Sequence, residues 1–438
     1  MVMEWYLALG LLISLVIGQM LLGVPVAIAF MAANLLCAYI LMGDLYAFYQ
    51  VVDNSTSLIT RFQLAPVPFF ILMGALFFYS GIAQRVFTTL DLLLGRIPGR
   101  LCYLTLGGGA MFSTLTGSSM ANTAMLGSMM VPEMQRRGYH WRMSLGPILG
   151  TGGLAMIIPP STLGVLLATV AEIDVGRFLI AGILPGIVLA ILYAAVISGQ
   201  VWWNPDNAPQ YDIEPASAAE KWRAVLVNLV PMGFVVFMVV GLILLGVATP
   251  TEAAAFGVLS ILILMAAFGA LSIQAIRESL LSTVKVAGMV FFIILNSSIF
   301  SQLLAYSGAS SGLLRFAAAF DVNTVTVLLI MFAVLLFLGM FMDPVSMILI
   351  TTPIFFPLAR TMGIDPLWFG LFVLVCLEMS QTTPPFGLLL YVMLGVAPAG
   401  TTLRRVAIAA APYLCCDALL LVLIFAFPAL VTYLPGLL

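Results

Sequence analysis

The chain has 438 residues, of which 63% are apolar and 8% charged, and its mean hydropathy is +1.18. A water-soluble globule of that composition would precipitate, so an all-α polytopic membrane protein is expected and a soluble fold is excluded. The formal net charge of −2 says little about partners, because membrane chains have few exposed loops on which to display a field; no nucleic acid is expected among them.

In chain order, the first stretch, "MVMEWYLALGLLISLVIGQM", has no basic leader, carries Glu4 and is too long for a signal core, so a retained span is expected. A hydrocarbon core about 30 Å thick takes about 20 apolar residues per helix. Ten runs meet that, near 5–22, 24–42, 66–83, 143–170, 178–203, 223–247, 251–270, 286–306, 367–395 and 408–435. Two more apolar regions, 101–134 and 323–358, misfit. As one helix each would be about 50 Å long, and half of either is short for a crossing. Their centres, "TGSSMANT" and "MDPVS", are polar or helix-breaking, as a re-entrant hairpin requires. The stretches 84–100 and 271–285 read as interfacial helices or plain connectors.

Basic residues test the count. With both regions as hairpins, twelve Lys/Arg share one side, including Arg96, Arg136, Arg137, Lys285 and Arg404, and four, Arg61, Arg177, Arg315 and Arg360, lie opposite. The twelve are then cytoplasmic and both termini periplasmic. All six tryptophans fall near span ends, where interfacial rings belong.

The polar stretch beginning "NPDNAPQYDIEP" reads as a cytoplasmic linker over 204–222 between two related halves, 1–203 and 223–438. A shift of 225 pairs Pro132 with Pro357, Gly138 with Gly363, Pro159 with Pro384 and Pro160 with Pro385. Each half holds three spans, a hairpin and two spans, one of them broken. Five crossings make an odd number, so the second half is inverted, as in secondary transporters.

The spans after the hairpins are interrupted at matching places, "GTGGLAMIIPPSTLG" and "EMSQTTPPFG". A double proline removes two donors and frees upstream carbonyls, so each helix must unwind there. Half-helix N-termini suit an anion, and bare carbonyl and hydroxyl oxygens suit a hard cation such as Na⁺. Ser118, Ser119, Asn122 and Thr123 supply oxygens at the first tip, beside Pro159 and Pro160. Asp343 and Ser346 do so at the second, facing Gln381, Thr382, Thr383 and Pro384. Ser118, Asn122, Asp343, Thr382 and Thr383 are the Na⁺ ligand candidates. The bland alternative is that these polar side chains only cement helices through interhelical hydrogen bonds.

Acids inside the apolar runs are few: Glu252, a helix-start carboxylate, Asp343 and Glu378 beside the second site, which could ligate Na⁺, carry a proton or hold backbone amides, and Asp417, to which no role is assigned. The five cysteines have no ligand-like spacing and read as packing residues. His140, the one histidine, falls in a loop beside Arg137 and Arg142, which excludes a Ser/His intramembrane hydrolase. An aspartyl hydrolase would need Asp343 to meet Asp417, and a passive channel would need rings of charge that are absent.

"GRIPGR", "TGSSMANTAMLGSMMVPEMQRRGY", "IIPPSTLG", "ATPTEAAAFG", "MDPVSMILITTPIFFPLARTMGID" and "QTTPPFG" together resemble the large membrane (M) subunit of tripartite ATP-independent periplasmic (TRAP) transporters, the DctM-like family, from about residue 5 to 435. The resemblance implies a Na⁺-driven importer of organic acids in a bacterial or archaeal inner membrane. It implies an elevator with a scaffold and a transport domain, a separate small four-span Q-type subunit and a periplasmic P-type binding protein. The family's tips fall on Ser118, Ser119 and Asn122, and on Asp343 and Pro344; its broken spans fall on Gly152, Gly153, Pro159 and Pro160, and on Gln381, Thr382, Thr383 and Pro384. One departure is "GTGGLAMIIPPST", where the family more often reads Gly-Ser-Leu-Gly before Ile-Pro-Pro. A stand-alone Na⁺- or H⁺-coupled dicarboxylate carrier of the same superfamily is the rival reading.

Overall fold

A computed structural model of the chain describes residues 4–42, 46–59, 64–95, 97–116, 119–209, 217–312, 315, 323–340, 342–385 and 387–437. Among the described residues every regular element is a helix. α1 (Trp5–Leu21) and α2 (Val26–Met42) fill the first two expected spans, and α3 (Tyr46–Ile59) is a polar-faced helix that the hydropathy pattern does not announce. α4 (Pro66–Tyr79) and α5 (Ile82–Leu94) meet at 67°, across Gly81 at φ +70°, which is why the third apolar run stops short of the interfacial stretch after it. The first misfit region is two helices, α6 (Arg100–Thr116) and α7 (Ser119–Arg136), packed on each other. α8 (Trp141–Ile157) and α9 (Thr162–Val170) follow, bent by 42° at the double proline. α10 (Val175–Ala181) and α11 (Ile183–Trp203) close the first half.

After the linker, α12 (Ala218–Leu244) contains two π-helical stretches, and α13 (Pro250–Ala267) opens with a capping box in which Thr249 N donates to Glu252 Oε2 at 2.8 Å. Glu252 is thus a helix-start carboxylate. The stretch 271–285 is no separate interfacial helix: it runs unbroken into the next span as α14 (Ile273–Tyr306), 34 residues long. No proline or glycine-dependent turn interrupts it, so the backbone ladder continues. The second misfit region is again two helices, α15 (Thr324–Gly339) and α16 (Pro344–Thr361). α17 (Pro366–Thr382) and α18 (Leu388–Val396) flank the second double proline, and α19 (Leu403–Ala426) and α20 (Ala429–Thr432) end the fold. By length and apolarity, six described helices, or eight if each bent pair counts once, could cross a bilayer. α16 is among the six, although the sequence makes it half of a hairpin.

The core follows from two helices. Every residue of α8 from Met143 to Ile157 and of α17 from Trp368 to Thr382 is buried. A helix apolar on all sides needs neighbours all round, and among lipids what holds those neighbours is close packing rather than water exclusion. Gly150 supplies such a fit: a Cβ there would lie 2.3 Å from Tyr413 Cδ1, so only glycine lets the α19 tyrosine lie flat on α8. Three contacts join residues about half the chain apart. Gln381 Nε2 donates to Met156 Sδ (3.8 Å, 225 positions away), Tyr193 OH donates to Asp417 Oδ1 (2.5 Å, 224 positions away), and the Glu378 carboxyl lies against Gly153. In each case a residue touches the position that the 225-residue shift pairs with it, or the one beside that.

Candidate functional site

At the first tip α7 begins at Ser119, and its first two turns face α8. Asn122, with no exposed surface, donates from Nδ2 to Thr151 O at 3.2 Å and reaches Gly109 O at 3.5 Å, tying α7 to both α8 and α6. Thr123 is equally buried; its Oγ1 has no hydrogen-bond partner among the described residues and lies 2.6 Å from where a Gly152 Cβ would stand. Gly153, one residue on, faces the Glu378 carboxyl instead. The adjacent glycines therefore pack on two different partners, the hairpin tip and the other broken span. Ser118 lies outside the described residues.

The breaks themselves are alike. Pro159–Pro160 and Pro384–Pro385 each hold a cis bond. After the first, Ser161 accepts from Gly164 N at 3.0 Å and restarts the helix as α9. Before the second, Thr383 Oγ1 donates to Met379 O at 2.6 Å and Thr382 Oγ1 to Met379 O at 3.2 Å, so both hydroxyls return to their own helix and leave oxygen lone pairs free to accept. Gly387 comes so close that a Cβ would lie 2.4 Å from Gln381 O, which folds the loop after the break back onto the carbonyls it frees.

At the second tip Asp343 is the N-cap of α16, with Pro344 at the first helical position. Its Oδ1 accepts from Val345 N (3.0 Å) and Ser346 N (3.1 Å), and its Oδ2 from the Ser346 hydroxyl. The carboxylate thus meets the positive end of the helix dipole itself, which fixes where its remaining lone pairs point.

These pieces converge on a cavity of about 810 Å³. Ser119, Asp343, Pro344, Ser346 and Gln381 of the sequence-derived set line it, together with Met120, Met156 and Thr162. The lining from α2, α4 and α14 is mostly apolar and includes Ile71, Phe78 and Phe292. Asn122, Thr123, Gly152, Gly153, Pro159, Pro160, Thr382, Thr383 and Pro384 stand outside the lining, as the frame that holds the lining groups. Among the described residues no lysine or arginine lines the cavity, and Asp343 is the one charged residue in the lining. Sequence reasoning missed Met156 and the Thr151 carbonyl: a methionine in an apolar run and a helical carbonyl carry no signal until the fold shows what faces them.

The family model described as the DctM component of the tripartite ATP-independent periplasmic transporters matches residues 13–430. The chain is 31% identical to the C4-dicarboxylate TRAP transporter large permease protein DctM of Rhodobacter capsulatus, over 98% of this chain and 99% of that one. It is 28% identical to the ectoine TRAP transporter large permease protein TeaC of Halomonas elongata, over 86% of this chain and 87% of that one. In fold it is similar to the YdaH transporter of Alcanivorax borkumensis, with a TM-score of 0.64 at 14% identity, over 87% of this chain and 89% of that structure.

Proposed function

The chain belongs to the DctM family of TRAP transporter large membrane components, multi-pass transport proteins rather than enzymes, and from that premise we propose that it carries an organic anion across the inner membrane by Na⁺ symport. The observation that carries the proposal is the cavity where Ser119, Asp343, Ser346 and Gln381 meet with no basic side chain among the described residues of the lining. An anion seated there needs positive charge from elsewhere. Uncompensated, it costs at least about 3 kcal/mol at bilayer depth. Oxygens at the two tips and the second break, those of Asn122, Asp343, Thr382 and Thr383 among them, are hard ligands suited to Na⁺, and bound Na⁺ supplies the missing charge. Coupling follows, since the loaded site is poorly compensated without the cation.

In this reading α6–α9 and α15–α18 form a mobile unit that moves against a scaffold of the first three spans of each half. The contacts between residues 224 or 225 positions apart support an inverted repeat, because residues near a pseudo-two-fold axis touch their own equivalents. Family membership supports a small four-span partner subunit and a periplasmic binding protein that delivers the substrate, and the bias of Lys and Arg to one side supports periplasmic termini. R. capsulatus DctM is named for C4-dicarboxylates and TeaC for ectoine, which supports an organic anion, a carboxylate or similar acid, as the substrate class. Uptake into vesicles carrying the chain with its two partners tests the proposal. Accumulation is expected with an inward Na⁺ gradient and not in choline; equal accumulation in both refutes Na⁺ symport.

A further inference from the structure

The polar groups of the cavity are enough for one anionic head. Two of the helix starts that line it are capped from within the chain: Asp343 accepts from Val345 N and Ser346 N at α16, and Ser161 accepts from Gly164 N at α9. The third is α7, an 18-residue helix that brings Ser119 and Met120 to the lining, and N–H groups this early in a helix have no acceptor inside it. Two side-chain atoms of the lining are also unengaged. Ser119 Oγ, on a residue 3% exposed, and Gln381 Oε1, on a residue with no exposed surface, have no hydrogen-bond partner among the described residues. The α7 dipole and the Ser119 hydroxyl suit a carboxylate, and Gln381 Oε1 suits a donor or a cation that arrives with it.

A second carboxylate would find no such place. Ser346 gives its hydroxyl to Asp343, and Asp343 has the same sign of charge as the incoming group. Tyr79, Thr162 and Ser282 are the other polar side chains of the described lining, and all are neutral. The rest is apolar: Met120, Met156 and Leu163 on the side of the hairpin and first broken span, and Ile71, Phe78 and Phe292 from α4 and α14. Holding a charged group against such a surface without a partner is strongly unfavourable, whereas a hydrocarbon or aromatic body gains by leaving water for it. The volume, about 810 Å³, falls among pockets that enclose ligands much larger than a four-carbon diacid. The unbranched, polarizable side chains of Met120 and Met156 adapt to bodies of differing shape.

We propose that the substrate of this chain is an anion with a single carboxylate and an apolar body of ring size or larger, its head at the start of α7 and its body along the apolar lining of α4, α9 and α14. This rests on the transport reading above and narrows its substrate. Benzoate, acetate and terephthalate are the probes, since acetate keeps the head without the body and terephthalate adds a second head to the same ring. Thermal melts of the purified full chain in Na⁺ buffer, against probe concentration, give the affinity for each. Benzoate should bind at least about tenfold more tightly than acetate or terephthalate. Ser119→Ala should weaken benzoate by about tenfold through loss of the head contact, and Leu163→Ser and Phe292→Ser should each cut the benzoate-to-acetate ratio severalfold. Acetate or terephthalate binding as tightly as benzoate would overturn the proposal and leave Na⁺ symport standing. A benzoate response unchanged in Ser119→Ala would also overturn it, as expected of an apolar additive seated elsewhere on the chain. If Ser119→Ala does not fold, the two serine variants decide, and an unchanged ratio in both overturns the proposal. Equal uptake in Na⁺ and in choline alongside a retained preference for benzoate would instead refute the symport and uphold the preference.

Discussion

Replacing Gly152 by alanine adds one methyl group where the first hairpin tip meets the first broken span. The new Cβ would stand 2.6 Å from Thr123 Oγ1 and 3.6 Å from Ser119 O, whereas ordinary contact begins at 3.4 Å. Thr123 is fully buried and β-branched, so its hydroxyl cannot swing aside cheaply and α7 itself must step back. Overpacking of this kind costs about 1–3 kcal/mol, and alanine's better helix propensity returns up to about 1 kcal/mol. With the full propensity gain the net loss of stability is therefore about 0–2 kcal/mol, too little to unfold a chain of this size. The displacement falls instead on the adjoining contact of the same seam, where Asn122 Nδ2 reaches Thr151 O at 3.2 Å. If that seam holds Na⁺, losing about 1.4 kcal/mol of binding raises the Na⁺ concentration for half-maximal uptake about tenfold. Initial uptake rates against Na⁺ concentration, with thermal melts in parallel, measure both quantities. Gly199→Ala, where nothing lies within 4 Å of the new methyl, is the control. Identical Na⁺ dependence in the two variants would refute the reasoning, because the crowding would then have no bearing on the ion.

Asn122→Ala and Thr383→Ala should each raise the Na⁺ requirement by about tenfold at modest cost in stability, read by the same uptake curves. Asp343→Asn keeps an N-cap acceptor for Val345 N and Ser346 N and should fold normally while losing Na⁺-driven uptake; Asp343→Ala should also lose about 1 kcal/mol of stability by thermal melt. His140 caps α8 by accepting from Arg142 N, and partial burial, with Arg142 and Arg405 nearby, holds its imidazole below the usual range. A depressed folded value means the unfolded chain takes up the proton first, so the melting temperature should drop as pH falls below about 6.5, and His140→Asn should blunt that drop.

Much of the helical framework is legible in the residues because the membrane simplifies the problem: apolar run length fixes the spans, and prolines mark where helices stop. The two misfit regions do divide where "TGSSMANT" and "MDPVS" stand, and both double prolines do break a helix. Three features escape. α3 carries too many polar residues, Asp53, Asn54 and Ser55 among them, to register as a span. α14 passes straight through its charged segment because Arg277, Glu278 and Lys285 are good helix formers at a surface. The 67° bend between α4 and α5 rests on the backbone of Gly81, which no apolar count can register.

The candidate site divides along a similar line. Residue types that can bind an ion are visible in the chain, and so is Asp343 as a helix cap. Which of them face one another is not, because the decisive neighbours are far apart in sequence: Glu378 with Gly153, Gln381 with Met156, Asp417 with Tyr193. A glycine in an apolar run reads as a packing residue until the carboxyl group that fills its space is seen.

The grouping of both hairpins and both broken spans into one moving body can be tested where α7 meets α18. A Cβ at Gly127 would lie 3.4 Å from the Val396 Cβ, close to the separation a disulfide spans, so Gly127→Cys with Val396→Cys should cross-link under mild oxidation. Cys415, the one exposed native thiol among the described cysteines, is replaced by serine in the background to prevent side reactions. The bond would join the first hairpin to the second broken span. If the two travel together it constrains nothing that moves, and oxidised protein should transport within about twofold of the reduced form. If they slide past one another during the cycle, as they would if each half moved as its own unit, the bond must arrest uptake and a reductant must restore it. Arrest that is reversed on reduction would therefore leave the ion ligands in place but overturn the elevator assignment, since the moving body would then be cut between α7 and α18.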